Sequence, residues 1–186
     1  MSEMDYTKIF AVSLNEIYVF AEDTLRFIEV NTGARQNLGY SIEELRQMTP
    51  LDIKPAHTPE TFTDLIAPLR AGKQKKIIFE TYHQRKDGTT YPVEIHLQLM
   101  IQDNQSVFVA IILDITERKQ LNAYNNDLGR IFEQSLNEIF IFDADTLCFT
   151  EVNRGARENI GYSIEELHQM TPLDIKPAHT PETFTD

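Results

Sequence analysis

Three of the five histidines could bind a metal or carry a proton, because a neutral imidazole nitrogen can ligate iron and other metals. His57 lies in a proline-rich loop, whereas His83 and His96 lie in separate apolar runs. A site built from His57, His83 and a carboxylate would lack the local ligand spacing of metal centres, such as a pair four residues apart on a helix. We therefore predict no metal site, and we expect His96, which alternates with Glu94 and Gln98, to face solvent.

The residue pattern contains no recognisable catalytic centre. No serine stands in a nucleophile-elbow pattern, and no glycine-rich phosphate loop occurs among the 7 glycines. The acid pairs Glu43-Glu44 and Glu165-Glu166 fall at predicted helix starts, where they favour the positive end of the helix dipole. The single cysteine, Cys148, excludes an internal disulfide, is typical of a reducing compartment, and is predicted to be half-buried on a strand. We predict that the chain is not an enzyme.

Charge restricts the expected partners. The formal net charge is -12, from 29 acidic and 17 basic residues. Such a surface repels the phosphates of nucleic acid and of anionic membranes, so we expect neither as a partner. The N-terminal segment lacks the basic start and apolar run of a secretory signal, and no window reaches the roughly 18 apolar residues of a membrane span. We expect a cytoplasmic protein.

The chain repeats itself at an offset of 122 residues. Residues 9–64 align without gaps with residues 131–186, and 44 of these 56 positions are identical. A period of this length matches one domain plus a connector rather than a solenoid repeat. We predict a complete domain over residues 1–116, a helical linker over 117–130, and the N-terminal half of a second domain over 131–186.

Apolar runs and turn residues predict one sheet in the first copy. The predicted strands span residues 17–20, 25–30, 76–84, 91–101 and 107–114. Asn31 and Ser41 are predicted N-caps of two short helices after the second strand, and Thr58 or Thr61 can start a further helix before the third strand. The fold class is therefore α+β, a five-stranded antiparallel sheet with short helices on one face.

Three stretches of the first copy resemble the PAS family. They are Asn31 with Gly39-Tyr40-Ser41-Ile42-Glu43-Glu44-Leu45, the turn Arg85-Lys86-Asp87-Gly88, and the segment Asp114-Ile115-Thr116-Glu117-Arg118-Lys119-Gln120. The resemblance covers residues 9–120 in full and residues 131–186 in part. It implies a PAS-like sheet with its helices, then a connector helix and a partial second PAS domain.

What the resemblance implies about function is a sensory module of a bacterial signal-transduction protein. The module would stand upstream of a diguanylate cyclase or histidine kinase output domain in the same polypeptide. A small-molecule ligand would bind between the sheet and the helices. The predicted ligand-binding residues are Phe79, Ile95, Leu97, Ile111, Leu113 and His57.

The resemblance also places signal relay at the end of the sheet. Asp114 and Thr116 can cap the following helix while Ile115 stays tied to the sheet, so the connector would feel a shift of the sheet. Beyond them, an apolar stripe predicts either a short coiled coil between subunits or a surface helix packed on its own domain. The stripe consists of Leu121, Tyr124, Leu128 and Ile131.

Two alternatives stay open at this point. A solidly packed interior would make the domain a ligand-free dimerisation and relay module. A haem-based gas or redox sensor would use His57, because haem-binding relatives place an axial histidine nearby. The segment after the Gly39-Tyr40-Ser41 helix start has no cysteine, which excludes the flavin photo-adduct of light-sensing relatives. The cofactor is therefore undetermined: haem and a non-covalent flavin both stay open, and neither is favoured.

The second copy has no counterpart of the three-strand meander. Its two predicted strands alone would be marginally stable. Because it nearly duplicates residues 9–64, it could compete for the meander of its own or another chain, and the other outcome for this half is disorder. We expect a homodimer, in a swapped form if this pairing occurs.

Overall fold

The computed structural model describes residues 6–102 and 104–175. Residues 1–5 and 176–186, which belong to the predicted domains 1–116 and 131–186, lie outside the described residues. The chain divides into two compact units, Met1–Lys119 and Gln120–Asp186.

The first unit contains all the predicted strands and helices, in the predicted order, together with an N-terminal helix and a 3-10 helix that the sequence did not indicate. Its elements are α1 (Tyr6–Val12), β1 (Glu16–Ala21), β2 (Phe27–Val30), α2 (Thr32–Leu38), α3 (Ile42–Leu45), the 3-10 helix (Pro50–Ile53), α4 (Pro59–Arg70), β3 (Ile77–Gln84), β4 (Thr90–Gln102) and β5 (Gln105–Asp114). The connector is α5 (Thr116–Gln134). The second unit adds β6 (Phe140–Phe142), β7 (Phe149–Val152), α6 (Arg154–Ile160), α7 (Ile164–Leu167) and α8 (Pro172–Ile175).

Asn31 fixes the junction between β2 and α2. Its Oδ1 accepts the amides of Ala34 at 3.1 Å and Ile17 at 3.1 Å, and its Nδ2 donates to the carbonyl of Asn15 at 2.9 Å. The side chain is buried, so each of these backbone groups would otherwise lack a partner away from water. Asn153 makes the corresponding contacts in the second unit, so the predicted cap is confirmed in both copies.

The five strands form one antiparallel sheet in the order β2-β1-β5-β4-β3. Every second side chain along each strand faces inward. The register places Tyr18 opposite Ala110, which in turn lies opposite Leu97. Buried side chains of α2, α3 and α4 complete a single apolar core with this face. The helices therefore cover one side of the sheet, as the sequence predicts.

Two predicted inward residues of β5 lie on the other face. Ile111 is 40% exposed and Leu113 is half-buried, whereas Ala110 and Ile112 are buried in the core. The prediction of Ile111 and Leu113 as inward residues was therefore wrong. The run from Val107 to Leu113 is apolar at nearly every position, so its period could not indicate which parity faces the helices.

The second unit has two strands, which pair antiparallel as β6 and β7. Its inner face is less covered than that of the first unit. Phe142 is 39% exposed, whereas its counterpart Phe20 is 2% exposed and stacks on Phe108 of β5 at a ring-centroid distance of 5.2 Å. The apolar face of β6 and β7 is thus open where the first unit has its meander.

The hydrogen bonds of Asn31 predict that the first unit becomes less stable when its side chain is removed. Asn31→Ala should destabilise the first unit by about 3 kcal/mol, because the cap and several buried backbone partners are lost together. The measurement is guanidinium unfolding of the full chain. Asn125→Ala, at an exposed position of α5, is the control and should change stability by less than about 0.5 kcal/mol. A wild-type unfolding midpoint for Asn31→Ala would contradict this role.

Candidate functional site

A carboxylate lies inside the first unit, at the start of β1. Glu16 is only 7% exposed. The hydroxyls of Tyr18 and Tyr91 donate to it, the latter at 3.0 Å from both oxygens, and Asn37 Nδ2 donates to Oε1 at 2.5 Å. Burial raises the pKa of Glu16, and these hydrogen bonds oppose that change.

The contacts continue outward from the glutamate to the turn between β3 and β4. Arg85 Nε donates to Asn37 Oδ1 at 3.1 Å, and its guanidinium lies 4.0 Å from the ring centre of Tyr91. Burial and the neighbouring Glu16 carboxylate raise the pKa of Tyr91, so its hydroxyl stays protonated as a donor. The glutamate thus ties β1, β4 and α2 together.

Lys54 follows the 3-10 helix and is 4% exposed. Among the residues that the structure describes, no carboxylate is within ion-pair distance of its ammonium group. Burial lowers the pKa of Lys54 to about 7, and the charge of Glu16 offsets this only in part. An ammonium group in this setting can change its charge near neutral pH.

Thr81 and His83 lie two residues apart on the inner face of β3. The hydroxyl of Thr81 and both ring nitrogens of His83 are buried, and they have no hydrogen-bond partner within the described part of the chain. The ring of His83 lies between those of Tyr18 and Tyr91, at centroid distances of 5.9 and 5.8 Å. Burial, then the charge of Lys54, hold the pKa of His83 well below its usual value of 6.5. We call Lys54, Thr81 and His83 the interior polar site.

Four of the six predicted ligand-binding residues lie on the side of the sheet that the helices cover. Ile95 and Leu97 are buried on the inner face of β4, and Phe79 is half-buried on the inner face of β3. His57 is also half-buried, and its ring meets Phe79 and Phe62 edge-on at centroid distances of 6.0 and 6.2 Å. Burial and the charge of Lys54 lower the pKa of His57.

The predicted relay residues join the sheet to α5. Asp114 Oδ1 accepts the amide of Thr116 at 2.8 Å, and the amide of Ile115 donates to the carbonyl of Pro92 at 3.1 Å. Ile115 is buried, whereas the other two are accessible. These are the contacts that the sequence predicted for the junction, and their part in signalling stays a prediction.

An ion cluster at the start of α5 was not predicted. Arg118 lies 2.7 Å from Glu80 on β3 and 3.0 Å from Glu94 on β4, and Lys119 lies 2.8 Å from Glu80. His96 faces outward as predicted, and it contacts Glu94 at 2.9 Å. The first turn of the connector is thereby attached to the outer face of the meander.

Across residues 6–102 and 104–175, no group of three or more His, Cys, Asp and Glu side chains is placed to hold a metal ion. Cys148 is half-buried immediately before β7. None of the described helices is both long and apolar enough to span a membrane.

The strand order, the helices on one face and the polar interior define a class of small α+β domain built on one antiparallel sheet. The family model for the PAS domain matches residues 15–117, which is more than half of the chain. The chain belongs to the PAS domain family. Its recognised domain is thus of a sensory rather than a catalytic kind.

Relatives of known description agree with this assignment. The methyl sulfide methyltransferase-associated sensor of Methanosarcina acetivorans is 27% identical over 119 residues, which cover 64% of this chain and 12% of that protein. The chain therefore spans a small part of this curated relative's length.

Two solved structures also show the fold. The PAS domain of an HTR-like protein from Haloarcula marismortui is 26% identical with a TM-score of 0.53, covering 59% of this chain and 88% of that one. A PAS domain from Desulfitobacterium hafniense is 26% identical with a TM-score of 0.51, covering 57% of this chain and 98% of that one.

None of the three residues of the interior polar site was predicted from the sequence to bind a ligand. Thr81 and His83 have the same parity as Phe79 on β3, and this alternation was the available signal for their inward position. Lys54 lies in a polar segment without any period, so nothing in the sequence indicated its burial. The burial of Glu16 could not be predicted either, because an acidic residue at the end of a strand is usually exposed.

The lowered pKa of Lys54 should make the stability of the folded chain depend on pH. Its pKa is about 7 in the folded chain and 10.5 in its ordinary state. The unfolded chain therefore binds more protons between these values, and wild-type stability should rise with pH across that window. Relative to Lys54→Met, the wild type should gain roughly 3 kcal/mol between about pH 6.5 and about pH 9.5 in guanidinium unfolding. Lys73→Met, at an exposed position, is the control, and parallel pH profiles for the wild type and Lys54→Met would contradict the prediction.

Proposed function

We propose that this chain is the sensory part of a signal-transduction protein and that a small polar ligand binds at the interior polar site. The observation that carries the proposal is His83, whose two ring nitrogens are buried without a partner among the described residues. Each such group lowers stability by about 1–3 kcal/mol unless something hydrogen-bonds to it. A bound ligand would supply these hydrogen bonds.

The chemistry of the site restricts the ligand. A neutral His83 offers one donor and one acceptor, Thr81 offers a hydroxyl, and Lys54 offers N–H donors. The rings of Tyr18 and Tyr91 flank the imidazole and would contact a flat or apolar part of the ligand. We therefore expect a small molecule with at least one strong acceptor next to a donor, with Phe79, Ile95 and Leu97 as apolar neighbours.

The route of the signal follows from the strand pairing. Thr81 lies beside Glu80 on β3, and Glu80 lies opposite Glu94 on β4. Both glutamates hold Arg118 at the start of α5. A shift of β3 on ligand binding would therefore change the outer ion cluster, and the junction Asp114-Ile115-Thr116 would pass that change to α5.

The wider organisation is also part of the proposal. Residues 1–116 form the sensor, 117–130 the linker, and 131–186 the first half of a second PAS domain, with the output, a diguanylate cyclase or histidine kinase, in the same polypeptide. The repeat and the matching Asn31 and Asn153 caps support the tandem arrangement. The description of the archaeal relative as a sensor supports a signalling role.

Native mass spectrometry of protein purified from cells, recorded beside an absorption spectrum, tests the ligand. The wild type should carry a discrete excess mass. The double variant Thr81→Val with His83→Leu should lose it and remain folded, because the groups that would bind the ligand are replaced by apolar side chains of similar size.

His96→Gln is the matched control, because it removes a histidine from the outer face. It should keep the bound mass. A wild type that is free of bound mass, and whose melting temperature does not rise with a metabolite extract, would contradict the proposal.

A second candidate function is dimerisation without a ligand. The outer face of the sheet carries a row of three isoleucines, interrupted by His96, that crosses four strands through adjacent positions: Ile78, His96, Ile111 and Ile17. Ile78 is 52% exposed and Ile111 40% exposed. An antiparallel sheet face that is left to solvent is normally polar, so this row favours contact with a second copy.

Ile111→Glu tests this candidate. The added charge on the outer face should convert a dimer to a monomer in sedimentation equilibrium, without loss of the fold. Gln36→Glu adds the same charge on α2, where the second copy naturally has Glu158, and should leave the dimer intact. A wild type that stays monomeric at every concentration would contradict dimerisation through this face, and also the swapped dimer in which β6 and β7 pair with another chain's meander.

The haem alternative gains no support from the packing of His57. Phe62 and Phe79 meet its ring edge-on, so a haem plane at this imidazole would have to displace aromatic side chains. The absorption spectrum that accompanies the native mass measurement also reports on haem or flavin.

A further inference from the structure

The two copies differ in one charged contact near the start of each unit. The offset of 122 residues aligns Ala11 with Glu133. In the second unit, Glu133 Oε2 accepts from Arg157 Nη2 at 3.0 Å and from the backbone amide of Arg154 at 3.0 Å. That unit therefore contains its own carboxylate at this place.

The first unit keeps the donors but lacks this carboxylate. Arg35 is the counterpart of Arg157, and Thr32 is the counterpart of Arg154. Among the described residues, Arg35 Nη2 donates only to Thr32 Oγ1, at 3.3 Å, and the buried Nε of Arg35 has no partner. No carboxylate of the described residues is within ion-pair distance of Arg35. A guanidinium with so few hydrogen-bond acceptors around it can bind an anion.

The donors line a cleft of about 240 Å³ between α1, β2, α2 and α3. Arg46 lies on the same wall, and it hydrogen-bonds the carbonyl of Ile28 at 3.4 Å. In the second unit His168 takes this position and bonds the corresponding carbonyl of Thr150 at 3.1 Å. An arginine carries a permanent charge, whereas a histidine does not.

The acids near the cleft occur in both units. Glu29 lines the cleft, and Glu43 feels the charges of both Arg35 and Arg46. Their counterparts Glu151 and Glu165 are present in the second copy, so they do not account for the difference. The first cleft is more positive because one carboxylate is missing and an arginine replaces a histidine. The second unit also has Arg154 in place of Thr32, but Glu158, which replaces Gln36, lies 3.7 Å from Arg154 and offsets its charge. Apolar side chains complete its walls: Phe10, Val30 and Ile42.

We propose that this cleft binds an organic anion, a carboxylate or a phosphate on a small apolar body, in the position that the Glu133 carboxylate takes in the second unit. Arg35 and the amide of Thr32 hold the anionic group, Arg46 adds charge, and the apolar wall contacts the remainder. The anion links α1 to α2 from outside the sheet. The site is independent of the interior polar site.

Solution NMR of the full chain tests this assignment with two probes, benzoate and inorganic phosphate. Either probe should shift the amide of Thr32 and the Nε–H of Arg35 in a saturable way. Arg35→Gln should weaken binding by about tenfold or more, because a charge-assisted hydrogen bond is lost. Ala11→Glu should abolish binding, because it supplies the carboxylate that the second unit already has.

The second unit provides the controls. Arg157→Gln should leave probe binding unchanged. Glu133→Ala should create a second site and raise the stoichiometry from one to two. Tighter binding of benzoate identifies a carboxylate ligand and tighter binding of phosphate a phosphate ligand, and either outcome supports the site. Absence of saturable shifts at probe concentrations on the order of 10 mM, or equal affinity in the wild type and Ala11→Glu, would overturn it.

Discussion

The hydrogen bonds to the buried carboxylate of Glu16 are the constraint on which the rest of the first unit depends. A buried charge must be hydrogen-bonded, and here the donors come from Tyr18, Tyr91 and Asn37. β1 and β4 do not pair directly, because β5 lies between them. The glutamate therefore joins two non-adjacent strands across a third and attaches α2 to both, which fixes the geometry of the interior.

The same hydrogen bonds explain why the side chains of Lys54 and His83 have no hydrogen-bond or ion-pair partner among the described residues and could bind a ligand. Glu16 accepts three hydrogen-bond donors but is not within ion-pair distance of Lys54, and its charge offsets the burial of the Lys54 ammonium group only in part. The imidazole of His83 lies between two tyrosine rings whose hydroxyls are directed to the glutamate, and no polar atom is left for its nitrogens among the described residues. Burial without partners is costly in a core and is typical of sites that serve function. The sensory family of the chain and this unsatisfied interior agree with each other.

Local chemistry determined how much could be predicted from the sequence. Caps such as Asn31 and Ser41, and the connection of Asp114 to Thr116, are set by neighbouring residues, so the elements and the family were predictable. Which side chains of β5 face the core was not predictable, because both sets of alternating residues on this strand are apolar. Only the pairing of β5 with β1 and β4 determines that Ile112, and not Ile111, faces the core. Thr81, His83 and Lys54 are polar side chains in the core, and only the tertiary fold brings them there. The repeat also contained one further signal in the sequence, since Glu133 has no acidic counterpart at Ala11 although Arg35 and Arg157 match.

The ionisation of His83 shows whether the interior polar site is shielded from bulk water. Nitrogen-15 NMR of the imidazole, followed from about pH 8 down to about pH 5, reports its charge and tautomer. His83 should stay neutral through the usual histidine range and become charged only well below it, because burial and the nearby Lys54 disfavour the imidazolium. A titration at the ordinary value near 6.5 would mean that water reaches the ring, and it would contradict the central claim.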